Sequence, residues 1–131
     1  MKRFFLLTLA SAALLGASAA PVKTYEVKSP GGRLALVLTA GERLSFTVAR
    51  DGETLVAPSE MALTLSTGEV LGESPRVRSA RRRAVTETID APLYRQSRFD
   101  AAYNELDLRL RGDYGILARA YDDGVCYRFY T

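Results

Sequence analysis

The sequence lacks histidine and tryptophan, and its single cysteine is Cys126. Without an imidazole, the chain has no Ser-His-Asp triad, no histidine general base and no histidine ligand for zinc. One cysteine cannot form a disulfide within the chain, so a folded domain must be stabilised by its apolar core. Because Cys126 lies in an apolar, aromatic segment, we expect it to be a small buried side chain.

A strong excess of either charge is also absent. The chain has 18 Lys and Arg against 15 Asp and Glu, a formal charge of +3, to which Lys2 and Arg3 contribute two charges. We therefore expect no nucleic-acid partner. The arginine-rich segment 76–83 is either an anion or sulfated-polysaccharide site or a solvated edge strand whose charges oppose aggregation. It has no interleaved aromatic residues on which bases could stack, which favours the edge strand.

The N-terminus has the layout of a secretory signal peptide. Residues 1–3 are positively charged, residues 4–15 form an apolar run, and residues 17–19 are small. The apolar run is shorter than the roughly 20 residues of a membrane-spanning helix, and no cysteine follows it for lipid attachment. We predict a signal peptide over 1–19, no stable membrane anchor, a periplasmic or secreted location, and one domain over 20–131.

Short apolar segments separated by turn residues predict strands throughout the domain. Strong turn signals stand at Ser29–Gly32, Asp51-Gly52 and Asp122–Gly124. Val77–Thr88 is read as one long strand or two shorter ones. The predicted strands are Val22–Lys28, Arg33–Thr39, Leu44–Arg50, Thr54–Ala57 (ended by Pro58), Met61–Ser66, Val77–Thr88, Glu105–Arg111, Tyr114–Tyr121 and Val125–Tyr130.

The strands alternate between apolar and polar residues. Leu106, Leu108 and Leu110 share one face of a strand, and Met61, Leu63 and Leu65 do the same. A period of two indicates one buried and one solvated face, which is typical of antiparallel sheets. Since no helical period follows Pro21, the pattern predicts an all-β, antiparallel sandwich or barrel.

Candidate chemistry is sparse. The turn Asp122-Asp123-Gly124 lacks the alternating oxygen ligands and later glutamate of an EF-hand, and is better explained as a turn with glycine at positive φ. Glu105 and Asp107 resemble a glycosidase carboxylate pair. However, the leucine face of their strand must point inward, so we expect both acids to meet solvent or a partner domain. Asn104 with Glu105 is a candidate ligand-contacting pair.

Three motifs in order resemble the N-terminal domain of glycoside hydrolase family 97. The first, Ser29-Pro30-Gly31-Gly32-Arg33-Leu34, resembles the opening of that domain. The second, Tyr103-Asn104-Glu105-Leu106, is similar to its Tyr-Asn-Glu-Leu stretch. The third, Tyr121–Phe129, is similar to its Asp-Gly turn followed by an aromatic-Arg-aromatic strand. The sequence differs from the family pattern at Tyr94-Arg95, where a Trp-Gly-like pair is expected, and at Cys126, where a small residue is usual.

The resemblance implies an exported bacterial α-glycosidase that acts on α-glucosides or α-galactosides. Its first domain would be a galactose-mutarotase-like β super-sandwich, of which this chain is a part, and a (β/α)8 barrel would supply the catalytic carboxylates with a calcium ion. No catalytic or calcium-binding position of the family has a counterpart here, so we expect neither catalytic residues nor a cofactor in this chain. The expected partners are the barrel and an α-linked oligosaccharide, with Tyr94, Asn104 and Glu105 as candidate contacts to carbohydrate or to the domain interface.

Other functions stay open. The chain could be a stand-alone exported module that binds carbohydrate or an envelope partner, or an envelope structural protein. The last predicted strand, Val125–Tyr130, favours a part of a larger protein, because it is apolar and aromatic and would make a poorly protected sheet edge.

Overall fold

The structure is a computed structural model that describes residues 21–93, 95 and 97–131. The predicted signal peptide over 1–19 and the candidate residue Tyr94 lie outside the described residues. Within the described ranges, no helix is long and apolar enough to cross a membrane.

All ten regular elements of the described residues are strands, and every pairing between them is antiparallel. They form one sheet in the order β1-β2-β3-β4, a second in the order β10-β9-β8-β7, and the small pair β5-β6. This arrangement confirms the all-β, antiparallel fold. The strands are β1 Lys23–Lys28, β2 Leu34–Ala40, β3 Leu44–Arg50, β4 Glu53–Glu60, β5 Leu63–Thr64, β6 Val70–Leu71, β7 Val77–Asp90, β8 Arg98–Leu110, β9 Gly115–Ala120 and β10 Val125–Tyr130.

The core lies between the two four-stranded sheets. Alternate residues of β2, β8 and β9 are buried and face one another across the sandwich, as the period-two pattern predicts. β1 packs on β8 and β9, and β2 packs on β9 and β10. The fully buried aliphatic side chains of this layer are Leu36, Leu38, Leu106, Leu108, Ile116, Ala118 and Ala120.

Polar contacts join the two sheets along one side and one end. The Gly31 amide donates to Asp122 Oδ1 over 2.7 Å, and Arg82 Nε donates to the Glu26 carbonyl over 3.0 Å. Asp122 thus ties the β9–β10 turn to the β1–β2 turn.

Several strand predictions were wrong, each for a reason that lies outside the local pattern. β4 continues past Pro58 to Glu60, because β4 is an edge strand in which a missing N–H is tolerated. β8 begins at Arg98 rather than at Glu105, because it pairs with β7 along its whole length. The short strand β6 was not predicted.

Two burial predictions were also wrong. Leu63 is 42% exposed although it shares a face with buried Met61, because β5 pairs only with β6 and lies outside the main sheets. Cys126 is exposed, because β10 places it on the outer face of the second sheet, opposite Arg119. The expected edge position of segment 76–83 is confirmed, since β7 is an edge of the second sheet and its arginines are exposed; the anion-site alternative stays a prediction.

Candidate functional site

The outer face of the second sheet carries a layer of paired charged and aromatic side chains. In the strand register, Glu105 of β8 lies between Arg83 of β7 and Arg119 of β9. The flanking tyrosines and a glutamate complete a cluster that we call the outer network, which comprises Arg83, Glu87, Tyr103, Glu105, Arg119 and Tyr121.

Glu105 is the centre of the outer network and is only 3% exposed. Arg83 Nε donates to Oε1 over 2.5 Å, and Arg119 Nε donates to Oε2 over 2.8 Å. Both carboxylate oxygens therefore have a charge-assisted hydrogen bond. Glu105 lies on the face opposite the buried leucines, as expected, but the two arginine side chains cover it and separate it from solvent.

The two arginines also set the protonation of Glu105. Burial by itself would raise the pKa of this carboxyl, but the hydrogen bonds from Arg83 and Arg119 outweigh it and hold the pKa below its usual range. Burial would lower the pKa of Arg119, yet its hydrogen bond to Glu105 raises it above the ordinary value. Since a glycosidase general acid needs a raised pKa, the arrangement does not suit Glu105 to that role.

Tyr103 forms the second buried part of the outer network. Its ring lies 4.9 Å from that of Tyr121, and the guanidinium carbon of Arg119 stands 4.5 Å above the ring centroid, a cation–π geometry. The Tyr103 hydroxyl donates to Glu87 Oε1 over 3.0 Å. Burial and this hydrogen bond both raise the pKa of Tyr103. These contacts bury Tyr103 on the outer face of the second sheet, where it is only 2% exposed.

The second carboxylate of β8, Asp107, is part of a neighbouring contact. It is half-buried and accepts a hydrogen bond from the Tyr130 hydroxyl of β10. The Tyr130 side chain lies against Gly115 of β9, where a Cβ atom would overlap it. Glu105 and Asp107 are thus both engaged with neighbouring strands.

Asn104 and Glu105 are adjacent in sequence but point to opposite faces of β8. The Asn104 side-chain amide crosses to the first sheet and donates to the Lys28 carbonyl over 2.8 Å. Both residues border one shallow groove of about 260 Å³ between β1 and β7, together with Arg82 and Arg83. Their role in carbohydrate or interface contacts remains a prediction.

The β7–β8 hairpin projects beyond the sandwich, because β9 pairs with β8 only from Asn104 to Arg109. Near its tip, an open cavity of about 610 Å³ is lined mainly by apolar side chains, among them Ile89, Pro92, Leu93 and Phe99. Leu93 is 96% exposed. Tyr94, which follows Leu93 in sequence, was expected to be a contact residue, but the apolar cluster itself was not predicted, although Ile89 and Leu93 flank the turn at Pro92.

In the part of the chain that the structure describes, no three His, Cys, Asp or Glu residues are grouped as ligands for a metal ion. The carboxylate of Glu105 accepts from arginines on both oxygens, which leaves a poor donor set for calcium.

The sequence matches one protein family and one characterised enzyme. The sequence model of the glycosyl-hydrolase 97 N-terminal family matches residues 27–131. The retaining alpha-galactosidase of Bacteroides thetaiotaomicron is 37% identical over 107 residues, which cover 82% of this chain and 16% of that enzyme.

Solved structures share the fold. A glycoside hydrolase family 97 enzyme from Pseudoalteromonas sp. strain K8, in complexes with panose and with acarbose, superposes with a TM-score of 0.72 at 16% identity over 80% of this chain and 17% of that chain. A beta-arabinopyranosidase matches with a TM-score of 0.66, also at 16% identity, over 80% of this chain and 18% of its own. The chain thus spans less than a fifth of the length of these relatives. The family match over nearly the whole described sandwich shows that this chain belongs to the N-terminal domain family of glycoside hydrolase family 97.

Proposed function

We propose that the chain is a non-catalytic portion of the N-terminal β-sandwich of an exported family 97 α-glycosidase, which supports the catalytic barrel and shapes access of carbohydrate to it. The observation that carries this proposal is the family match over residues 27–131 in a chain that spans only 16% of its enzyme relative. An exported location is supported by the signal-peptide pattern over 1–19.

The chemistry of the outer network supports a non-catalytic role. A retaining glycosidase needs one carboxyl group as nucleophile and a second with a raised pKa as general acid. Glu105 has a lowered pKa and is bound on both oxygens, and Asp107 accepts from Tyr130. Side chains held in this way position a surface rather than exchange protons with a substrate.

The hairpin tip supports contact with another domain. An exposed leucine beside Ile89 and Phe99, at the end of a hairpin that leaves the sandwich, is apolar area that a folded barrel could cover. The candidate residue Tyr94 follows directly in sequence. We infer that this tip contacts the barrel near the substrate entrance, and that α-linked oligosaccharides are the substrate class, in line with the retaining alpha-galactosidase relative.

A domain replacement tests the proposal. In the Bacteroides alpha-galactosidase, the matched segment would be replaced by residues 27–131 of this chain, and hydrolysis of 4-nitrophenyl α-galactoside would be measured. We expect the chimera to hydrolyse the substrate, and Leu93→Asp to lower kcat/KM at least several-fold by disrupting the tip contact. Leu55→Asp, at an exposed leucine of β4, is the matched control and should leave kcat/KM unchanged. Equal activity of both variants would refute the tip contact.

A stand-alone carbohydrate-binding module is the second candidate, favoured by the groove that Asn104 and Glu105 border. Glycan binding by residues 20–131 discriminates the two. Binding of α-linked oligosaccharides at micromolar affinity, lost on Asn104→Ala, would favour the module over the supporting domain.

A further inference from the structure

The strand register places a row of four residues across the outer face of the second sheet. Arg81 of β7 pairs with Asp107 of β8, which pairs with Leu117 of β9. Leu117 pairs in turn with Arg128 of β10. These four residues, which we call the arginine row, have an arginine at each end. Since neighbouring strands lie about 4.8 Å apart, the Cα atoms of the two arginines are separated by about 14 Å.

The two ends of the arginine row carry positive charges that are not neutralised within the described residues. Arg81 and Arg128 are both exposed, and neither forms an ion pair in that part of the chain. The carboxylates of β8 on this face are already bound, Glu105 by the two arginines of the outer network and Asp107 by Tyr130. An anionic ligand can therefore neutralise both ends of the row.

Two clefts meet at Leu117, which is half-buried. The first has a volume of about 390 Å³ and is lined by Arg81, Asp107 and Leu117, among others. The second has a volume of about 330 Å³ and is lined by Leu117, Cys126 and Arg128, among others. Each volume lies within the range of ligand sites, roughly 300–1,000 Å³. Because Leu117 lines both clefts, they form one trough with an apolar centre.

The charge and shape of this trough indicate which ligand fits. Charges on both sides of an apolar centre suit a ligand whose anionic groups are spaced along an extended chain. A sugar ring can pack its C–H face on Leu117, while sulfate or carboxylate groups form paired hydrogen bonds with Arg81 and Arg128. The chain's formal charge of +3 is too small for the strong phosphate attraction of a nucleic-acid site.

We propose that the arginine row binds an acidic polysaccharide, with a sugar ring on Leu117 and sulfate or carboxylate groups on Arg81 and Arg128. A polysaccharide is favoured over an acidic protein segment by the proposed function in an exported glycosidase, and this choice of ligand rests on that function. The row holds the polysaccharide without cleaving it, because Glu105 and Asp107 are bound by neighbouring side chains. The anion-site interpretation of segment 76–83 is thereby assigned to Arg81, together with Arg128 of β10.

Binding to the purified chain tests the proposal. Heparin carries sulfate groups and polygalacturonate carries carboxylates, whereas dextran is neutral. We expect at least one acidic polysaccharide to bind and dextran not to bind. The double variant Arg81→Gln/Arg128→Gln should weaken binding at least about fivefold, because two charged contacts are lost. The control Arg76→Gln/Arg111→Gln removes the same charge from exposed arginines that line neither cleft, and should keep wild-type affinity.

The thiol of Cys126 reports whether the ligand lies in the trough. Cys126 is exposed and lines the second cleft, so a saturating acidic polysaccharide should slow its alkylation by iodoacetamide several-fold. Equal loss of affinity in the two double variants, or binding that leaves the alkylation rate unchanged, would overturn the proposal.

Poly-glutamate separates the two classes of acidic partner. If it binds as tightly as the polysaccharides and protects Cys126, the proposal is overturned in favour of an acidic protein segment. Absence of binding by both acidic polysaccharides would also refute the site. That result would leave the proposed function standing, because the activity of the chimera tests it independently.

Discussion

Replacing Glu105 by glutamine tests whether the outer network stabilises the fold. The change keeps the size of the side chain but removes the charge that Arg83 and Arg119 both bind at 2.5 and 2.8 Å. Glu105 is 3% exposed, and the Arg119 side chain is 30% exposed. The variant therefore leaves a largely covered guanidinium without its carboxylate.

The size of the effect follows from this exposure. Removal of one partner of a fully buried ion pair costs about 3–5 kcal/mol. Because Arg119 is partly solvated and Arg83 is mostly exposed, we expect a smaller loss of about 2–3 kcal/mol in the free energy of unfolding at pH 7. For a domain of this size, that loss lowers the melting temperature by roughly 10 °C or more.

The pH dependence gives an independent signature. The pKa of Glu105 is lower in the folded than in the unfolded chain, so its stabilisation is complete above the unfolded pKa, about 4.3, and is lost as pH falls through the folded pKa. Urea unfolding from pH 7 to pH 3 should show the difference between wild type and Glu105→Gln shrinking below about pH 4.

Glu60→Gln is the matched control, because Glu60 forms a 2.8 Å pair with Arg43 in which both side chains are about 60% exposed. We expect this change to have little effect at any pH. A Glu105→Gln variant as stable as wild type, or a difference that persists unchanged at pH 3, would refute the role assigned to the outer network.

Three further predictions concern packing. Gly115→Ala should destabilise the domain by about 1–3 kcal/mol in urea unfolding, because the new Cβ meets the Tyr130 ring. Adding Tyr130→Ala to this variant should remove most of the loss. Leu108→Ala, at a fully buried core position, should cost about 2–5 kcal/mol in the same assay. Cys126 is exposed, so a thiol reagent such as DTNB should label it stoichiometrically without denaturant, and labelling that requires urea would contradict the outward orientation.

Strand faces and tight turns could be predicted from the sequence, because each depends on residues that are close together in the chain. Leu106, Leu108 and Leu110 are buried because alternation alone decides which face of a strand is apolar. The turn at Asp51-Gly52 was predicted from the residue pair itself. Both residues have positive φ, as a tight hairpin requires.

Features that depend on strand register could not be predicted in this way. Glu105 is bound by arginines 22 and 14 residues away, and no local pattern states which side chains become cross-strand neighbours. Cys126 and Leu63 were expected to be buried from their apolar neighbours, but exposure depends on whether another sheet covers the strand. The hairpin tip was missed because a short apolar cluster at a turn resembles a strand end until the length of the pairing is known.

The central claim is that this sandwich is a supporting module without glycosidase chemistry of its own. Its most direct test is the release of 4-nitrophenol from 4-nitrophenyl α-galactoside and α-glucoside by purified residues 20–131. The outer network, with Glu105 ionised and bound on both oxygens, predicts no release above that of buffer. Turnover that co-purifies with the chain and disappears in Glu105→Gln would contradict the claim.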